Sequence, residues 1–167
     1  SDLLLMGALQ IALKFQSSQL RQEVLNHLSF YATDSSLANI LKLTNEIPSD
    51  EIKADVYISL APHLPKNLLP EVFEYFRSID SEWFLSQSLI AYIPRFEISL
   101  LELALETTLE IQDREIQAII LRPLAKFLSE SSLSFDRLYC LWNRLVHHLT
   151  NQNRRNVMQA LTSLAPV

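Results

Sequence analysis

The sequence predicts an all-α fold, a right-handed α-solenoid of about five helical hairpins of 32 residues each. Three observations carry that reading. Leucine recurs at a fixed interval of 32 residues, at Leu5, Leu37, Leu69, Leu101 and Leu133. Between those positions apolar residues fall every three to four, as in Leu69, Val72, Phe73, Phe76 and Ile79, and the chain holds one glycine, Gly7. A fixed interval of this size is the mark of stacked repeats. The three-to-four spacing is the stripe of an amphipathic helix. A chain almost without glycine lacks the residue that tight β-turns and phosphate-cradling loops require.

Two further apolar columns keep the same interval: Phe15, Ile47, Ile79 and Ile111, and Leu28, Leu60, Tyr92 and Leu124. The second column resumes at Leu164 after 40 residues, which places an eight-residue insertion between Leu133 and Gln152. Turn and cap residues cluster at Thr33–Ser36, Ile47–Asp50, Ile79–Ser81, Gln112–Asp113 and Ser129–Ser132. These breaks divide the chain into helices at 2–15, 18–32, 34–46, 50–64, 66–79, 81–95, 97–111, 113–129, 133–149 and 152–166. Asp34, Ser49, Ser81 and Asp113 are the expected N-caps, because their oxygens accept from the unpaired N–H groups of a first turn. Pro62 and Pro94 share one repeat position and predict an early stop or bend there. Pro166 returns in that column after the insertion, and Lys126 takes the place in the fourth unit.

Residues 1–15 correspond to the second helix of a unit alone and 152–167 to the first helix alone. A solenoid normally closes its apolar ends with polar caps. The expectation is therefore one α-solenoid domain over 1–167, a fragment of a longer chain or a unit that associates end to end.

Fourteen Lys and Arg stand against nineteen Asp and Glu, a net charge of −5 at pH 7. That balance argues against a nucleic-acid-binding domain, whose affinity comes largely from neutralising phosphates. The longest stretch without a polar side chain, Leu3–Leu9, is far short of the roughly 20 residues of a membrane span, and it lacks the basic start of a signal peptide. Cys140 has no second thiol to pair with, which fits a reducing, cytoplasmic setting. The expected partner is a protein or peptide, or an adjacent domain of the same polypeptide, with no nucleic acid and no membrane.

The period is near that of tetratricopeptide repeats but lacks their Trp, Gly and Tyr signature, so the architecture reads as HEAT-like. The wording of two units, Ser59-Leu60-Ala61-Pro62-His63-Leu64-Pro65 with Leu68-Leu69-Pro70, and Ala160-Leu161-Thr162-Ser163-Leu164-Ala165-Pro166-Val167, is familiar. It resembles the Leu-Ala-Pro-x-Leu-Pro helical repeats in the C-terminal arms of bacterial, often cyanobacterial, STAND-class signalling ATPases. The resemblance implies a sensor arm that recognises a ligand or holds a nucleotide-driven switch inactive. It carries no nucleotide chemistry onto these residues.

No catalytic residue, cofactor or metal site is expected. His27, His63, His147 and His148 are in no ligand spacing, and Cys140 sits in the apolar run Leu138–Trp142, where a core thiol is more natural than a nucleophile. The candidate partner-binding feature is acidic. Glu102, Glu106 and Glu110 recur at four-residue steps and share one helix face, and Glu74 and Glu46 are their repeat equivalents in earlier units. The opposite end is basic, with Arg144, His147, His148, Arg154 and Arg155. Residues 1–112 carry seven basic and fifteen acidic groups, whereas 113–167 carry seven and four. Such a division steers a charged partner or favours head-to-tail association.

Overall fold

The computed structural model describes residues 2–130, Tyr139 and Asn143, and the described residues are all-helical, without a strand. Eight α-helices occur among them: α1 Asp2–Ala12, α2 Ser18–Phe30, α3 Asp34–Asn45, α4 Asp50–Leu60, α5 Leu69–Phe76, α6 Glu82–Tyr92, α7 Ile98–Glu110 and α8 Arg114–Glu130. Short 3₁₀ turns at Lys66–Leu68 and Ile93–Arg95 precede α5 and follow α6. Polar caps begin α2, α3, α4 and α8, and prolines help end α4 and α6. Of the helix expected at 133–149 only Tyr139 and Asn143 are described, both helical, and the one expected at 152–166 lies outside the described residues.

Ser49 caps α4 as expected, its hydroxyl accepting the Ile52 N–H at 3.4 Å. Asp113 caps α8 by accepting from the Glu115 and Ile116 N–H groups at 2.9 and 3.2 Å. The cap of α3 is Thr33 rather than Asp34. Thr33 holds the extended backbone a cap requires and accepts the Ser36 N–H at 3.2 Å, so Asp34 becomes the first helical residue. Ser17 caps α2 in the same way, a role the sequence reading did not assign.

The proline column acts as an early stop. Pro62 has no N–H to give the Ile58 carbonyl, and the Ala61 N–H serves both Tyr57 and Ile58, at 3.0 and 3.3 Å, as α4 closes at Leu60. At Pro94 the chain tightens into the 3₁₀ turn, which is why α6 ends at Tyr92 and not at 95. α8 runs on through Lys126 to Glu130 and carries its own proline inside, Pro123.

The chain forms two compact units, Ser1–Tyr92 and Ile93–Val167. In the first, α2 packs on α4, α4 on α6 and α3 on α5, while α1 meets α2, α3 meets α4 and α5 meets α6. Helices two apart are thus neighbours, with α2, α4 and α6 in one row. The hydrogen bonds fix its direction. Ser18 and Arg21 meet Asp55, Asn26 meets His63, Asp50 meets the N–H of Ser81, and Tyr92 meets the Tyr57 carbonyl. The separation stays between 31 and 37 residues as the chain advances, which requires parallel helices.

The repeat columns form the core. Leu37, Leu69 and Leu101 are buried, as are Ile79 and Ile111, and Leu60, Tyr92 and Leu124; Phe15, Ile47 and Leu28 are half-buried. In the first unit Tyr57, Phe76 and Tyr92 stack edge to face, with centroids 5.5 and 5.3 Å apart. In the second, α7 packs on α8, burying Leu101, Ala104 and Leu105 together with Ile120, Leu121 and Leu124.

Candidate interaction surface

One repeat position has a polar role that the apolar columns do not reveal. Positions 21, 53, 85 and 117 lie 32 residues apart and hold Arg, Lys, Leu and Gln. Arg21, Lys53 and Gln117 are all buried. Each donates to a carbonyl at a helix end: Arg21 Nη1 to Phe15 after α1 at 2.6 Å, Lys53 Nζ to Ser78 after α5 at 2.9 Å, and Gln117 Nε2 to Thr108 in the last turn of α7 at 3.1 Å. Phe15 and Ser78 lie just past their helices and Thr108 is in the last turn of α7, so each buried donor reaches a backbone carbonyl where the helical ladder runs out.

Arg21 does more than cap. Its Nε and Nη2 hold Asp55 Oδ2 at 2.6 Å, and Nη2 also reaches Glu51 Oε1 at 2.9 Å. Ser18 and Gln22 complete the carboxylate by donating to Asp55 Oδ1 at 2.9 and 2.6 Å. With the side chains of Arg21 and Asp55 only 4% and 6% exposed, the pair is a desolvated clasp between α2 and α4. Its donors and acceptors are already engaged inside the protein, so it is a structural device and not a ligand site.

Tyr57 differs in this respect. Its ring is fully buried, and its hydroxyl has no hydrogen-bond partner among the described residues. Burial pushes this phenol well above the ordinary value of 10.0; neighbouring Tyr75 adds to the rise, and the Ser78 hydroxyl, which lies near but donates to the Tyr75 carbonyl at 2.7 Å, opposes it in part. Tyr75 is raised chiefly because its hydroxyl donates to Glu71 at 2.7 Å, with burial and the Glu71 charge adding to the effect.

The acidic candidates are placed on two units. Glu102, Glu106 and Glu110 lie on one continuous helix, α7, with Glu102 half-buried and the other two exposed. Glu74 is on α5 in the first unit, exposed and 3.5 Å from Arg77. Glu46, its neighbour in the repeat scheme, is the C-cap residue of α3, which packs on α5. Arg144, His147, His148, Arg154 and Arg155 lie outside the described residues, as does Cys140. Among the described residues, no three His, Cys, Asp or Glu side chains are grouped as a metal site would need, and no helix is long and apolar enough to cross a membrane.

A surface feature absent from the sequence reading lies where α2 and α4 end. Phe30 and Tyr31 are 68% and 77% exposed, and their rings meet edge to face at 5.2 Å. His63, just after α4, meets Phe30 in the same manner at 5.8 Å, and its Nε2 lies 3.0 Å from Asn26 Oδ1. Phe30 occupies the repeat position that Pro62 and Pro94 hold in later units, so the signal available was a substitution within a column. No known protein family, curated protein or solved structure matches this chain, and its residues and their geometry alone support a functional reading.

Proposed function

We propose that this chain is a noncatalytic recognition module, a right-handed HEAT-like α-solenoid that binds a protein or peptide as the sensor arm of a STAND-like signalling ATPase. The observation that supports the reading most is the parallel row α2, α4 and α6, whose partners keep nearly the same chain separation as the 32-residue columns. Rows of this kind extend by adding hairpins and present long surfaces suited to a partner. The ATPase context rests on the Leu-Ala-Pro wording of residues 59–65 and 160–167. The acidic face of Glu102, Glu106 and Glu110 on α7 is the proposed contact for a basic partner, and Glu74 on α5 is a second candidate by itself.

Solution scattering tests the architecture. A compact chain of this length has a radius of gyration of about 15 Å. Five stacked hairpins at roughly 10 Å per layer give about 18 Å, and the compact value removes the solenoid. Immunoblotting of the source cell tests the context. A native band several times 19.2 kDa supports a sensor arm, whereas a band near 19.2 kDa makes the chain a stand-alone HEAT-like adaptor or assembly factor. Reversing Glu102, Glu106 and Glu110 to Lys is expected to abolish partner capture while helicity persists; retained capture removes the acidic face as the contact.

A further inference from the structure

We propose that the ring cluster of Phe30, Tyr31 and His63 is the anchor for an arginine side chain of a basic peptide. This rests on the recognition reading and names a partner chemistry for it.

The cluster is already assembled. Phe30 stands nearly perpendicular to both Tyr31 and His63, at 85° and 86°, so the rings form a corner and not a closed stack. His63 is held from the side by Asn26. The three rings already meet before any partner arrives, and such preorganisation favours exposed aromatics as the dominant contacts of an interface.

Three features select a cation. The first is the ring faces, whose negative quadrupole attracts a guanidinium that also stacks flat upon them. The second is helix direction. α2 and α4 are parallel, as the pairs Arg21–Asp55 and Asn26–His63 require, so both C-termini arrive at this one edge. Each brings the partial negative charge of its last carbonyls. The third is surface charge. Residues 3–92 carry six Lys and Arg and ten Asp and Glu, but Arg21 and Lys53 are buried, against one acid, Asp55. Four cations and nine acids remain at least partly accessible in that stretch, so a basic peptide meets a complementary field on approach. Glu23 lies seven residues before Phe30 on the same face of α2 and is exposed.

The test is an NMR titration of the isotope-labelled chain with hexa-arginine, and in parallel with hexa-citrulline, which keeps the shape and removes the charge. At about 0.15 M salt, diffuse attraction is screened. Saturable shifts at amides 26–32 and 60–64 are expected with hexa-arginine. Hexa-citrulline, and the exposed double variant Phe30→Ala/Tyr31→Ala, are each expected to bind about tenfold more weakly. The double variant should melt where the parent does. Equal binding by the double variant, shifts confined to other segments, or no shift with hexa-arginine each overturns the anchor. None of these alters the scattering result by which the solenoid reading stands or falls.

Discussion

Two successive steps of one helix row are built from different chemistry. Between α2 and α4 the contact centres on a buried ion pair, Arg21 with Asp55, ringed by Ser18, Gln22 and Glu51 and followed by Ser59 donating to the Gln22 carbonyl at 3.2 Å. Between α4 and α6 it is built on rings, Tyr57 and Tyr92 on either side of Phe76, with hydrogen bonds from Tyr92 to the Tyr57 carbonyl at 2.9 Å and, at the start of both helices, from the Ser81 N–H to Asp50 at 2.8 Å. Both steps join helices in the same direction at nearly the same chain separation. The stacking geometry is therefore compatible with either solution. Apolar area drives the ring step, whereas directional bonds that are costly to leave unmade hold the polar step in register.

The largest effect is expected where the polar step loses one partner. Asp55→Ala leaves the Arg21 guanidinium buried without its counter-charge, a loss of about 3–5 kcal/mol by analogy with other broken buried pairs. Urea titration reads it directly. Removing both charges with Arg21→Met/Asp55→Leu should restore most of that loss, since apolar replacement of a whole buried pair is often neutral. If the single and double variants are equally unstable, the charges are not what the step depends on and the contrast with the ring step fails.

The difference between the two steps also explains what the sequence disclosed. The ring step lay in plain view, because Tyr92 belongs to the column Leu28, Leu60, Tyr92 and Leu124, and Phe76 to the stripe that begins at Leu69. Apolar burial repeats, and repetition is what a self-comparison detects. The polar step does not repeat: Asp55 has Glu23 and Gln87 as its equivalents, and Arg21 is followed by Lys53, Leu85 and Gln117. Mixed residue types doing related work leave no periodic trace. The same reason hid the ring cluster, since Phe30 interrupts a proline column and gains meaning only when α4 brings His63 beside it. Helix ends were misjudged by two to four residues at α1, α2, α4, α5 and α6, where the apolar stripe continues past the last regular backbone bond, and the start of α5 by three, where a 3₁₀ turn comes first.

Within the ring step two hydroxyls should respond with opposite sign. Tyr92→Phe removes a buried hydrogen bond to the Tyr57 carbonyl, which keeps the Ala61 N–H at 3.0 Å, a loss of about 1 kcal/mol. Tyr57→Phe removes a buried hydroxyl that has no partner among the described residues, and should leave stability unchanged or raise it by up to about 1 kcal/mol. Two denaturation curves decide the matter; losses of the same size would mean that the Tyr57 hydroxyl is satisfied in solution. The Tyr57 phenol also contributes to the alkaline limb, beside that of Tyr75. The unfolded phenol ionises near 10.0 while the buried one keeps its proton to higher pH, so unfolding above that point releases a proton. Its contribution is complete below pH 10 and declines as pH rises, by at most about 1.4 kcal/mol per pH unit. Tyr57→Phe should flatten that decline, and an unaltered alkaline limb would place the responsible group elsewhere.

The smallest effect sharpens the polar step from within. One guanidinium meets two carboxylates, and their exposure differs: the Asp55 side chain is 6% exposed and that of Glu51 is 49% exposed. Water screens the outer contact, and its side chain has rotamers to lose in forming it. Glu51→Gln should therefore cost under about 1 kcal/mol, and the cost should shrink as salt rises toward about 1 M. Asp55→Ala should keep its full penalty over the same range, because ions do not penetrate a desolvated pair. The quantity to measure is the salt dependence of each variant's stability relative to the parent. Parallel dependence would mean that solvent reaches Arg21 from both sides, and the step from α2 to α4 would then be a surface network instead of a buried clasp.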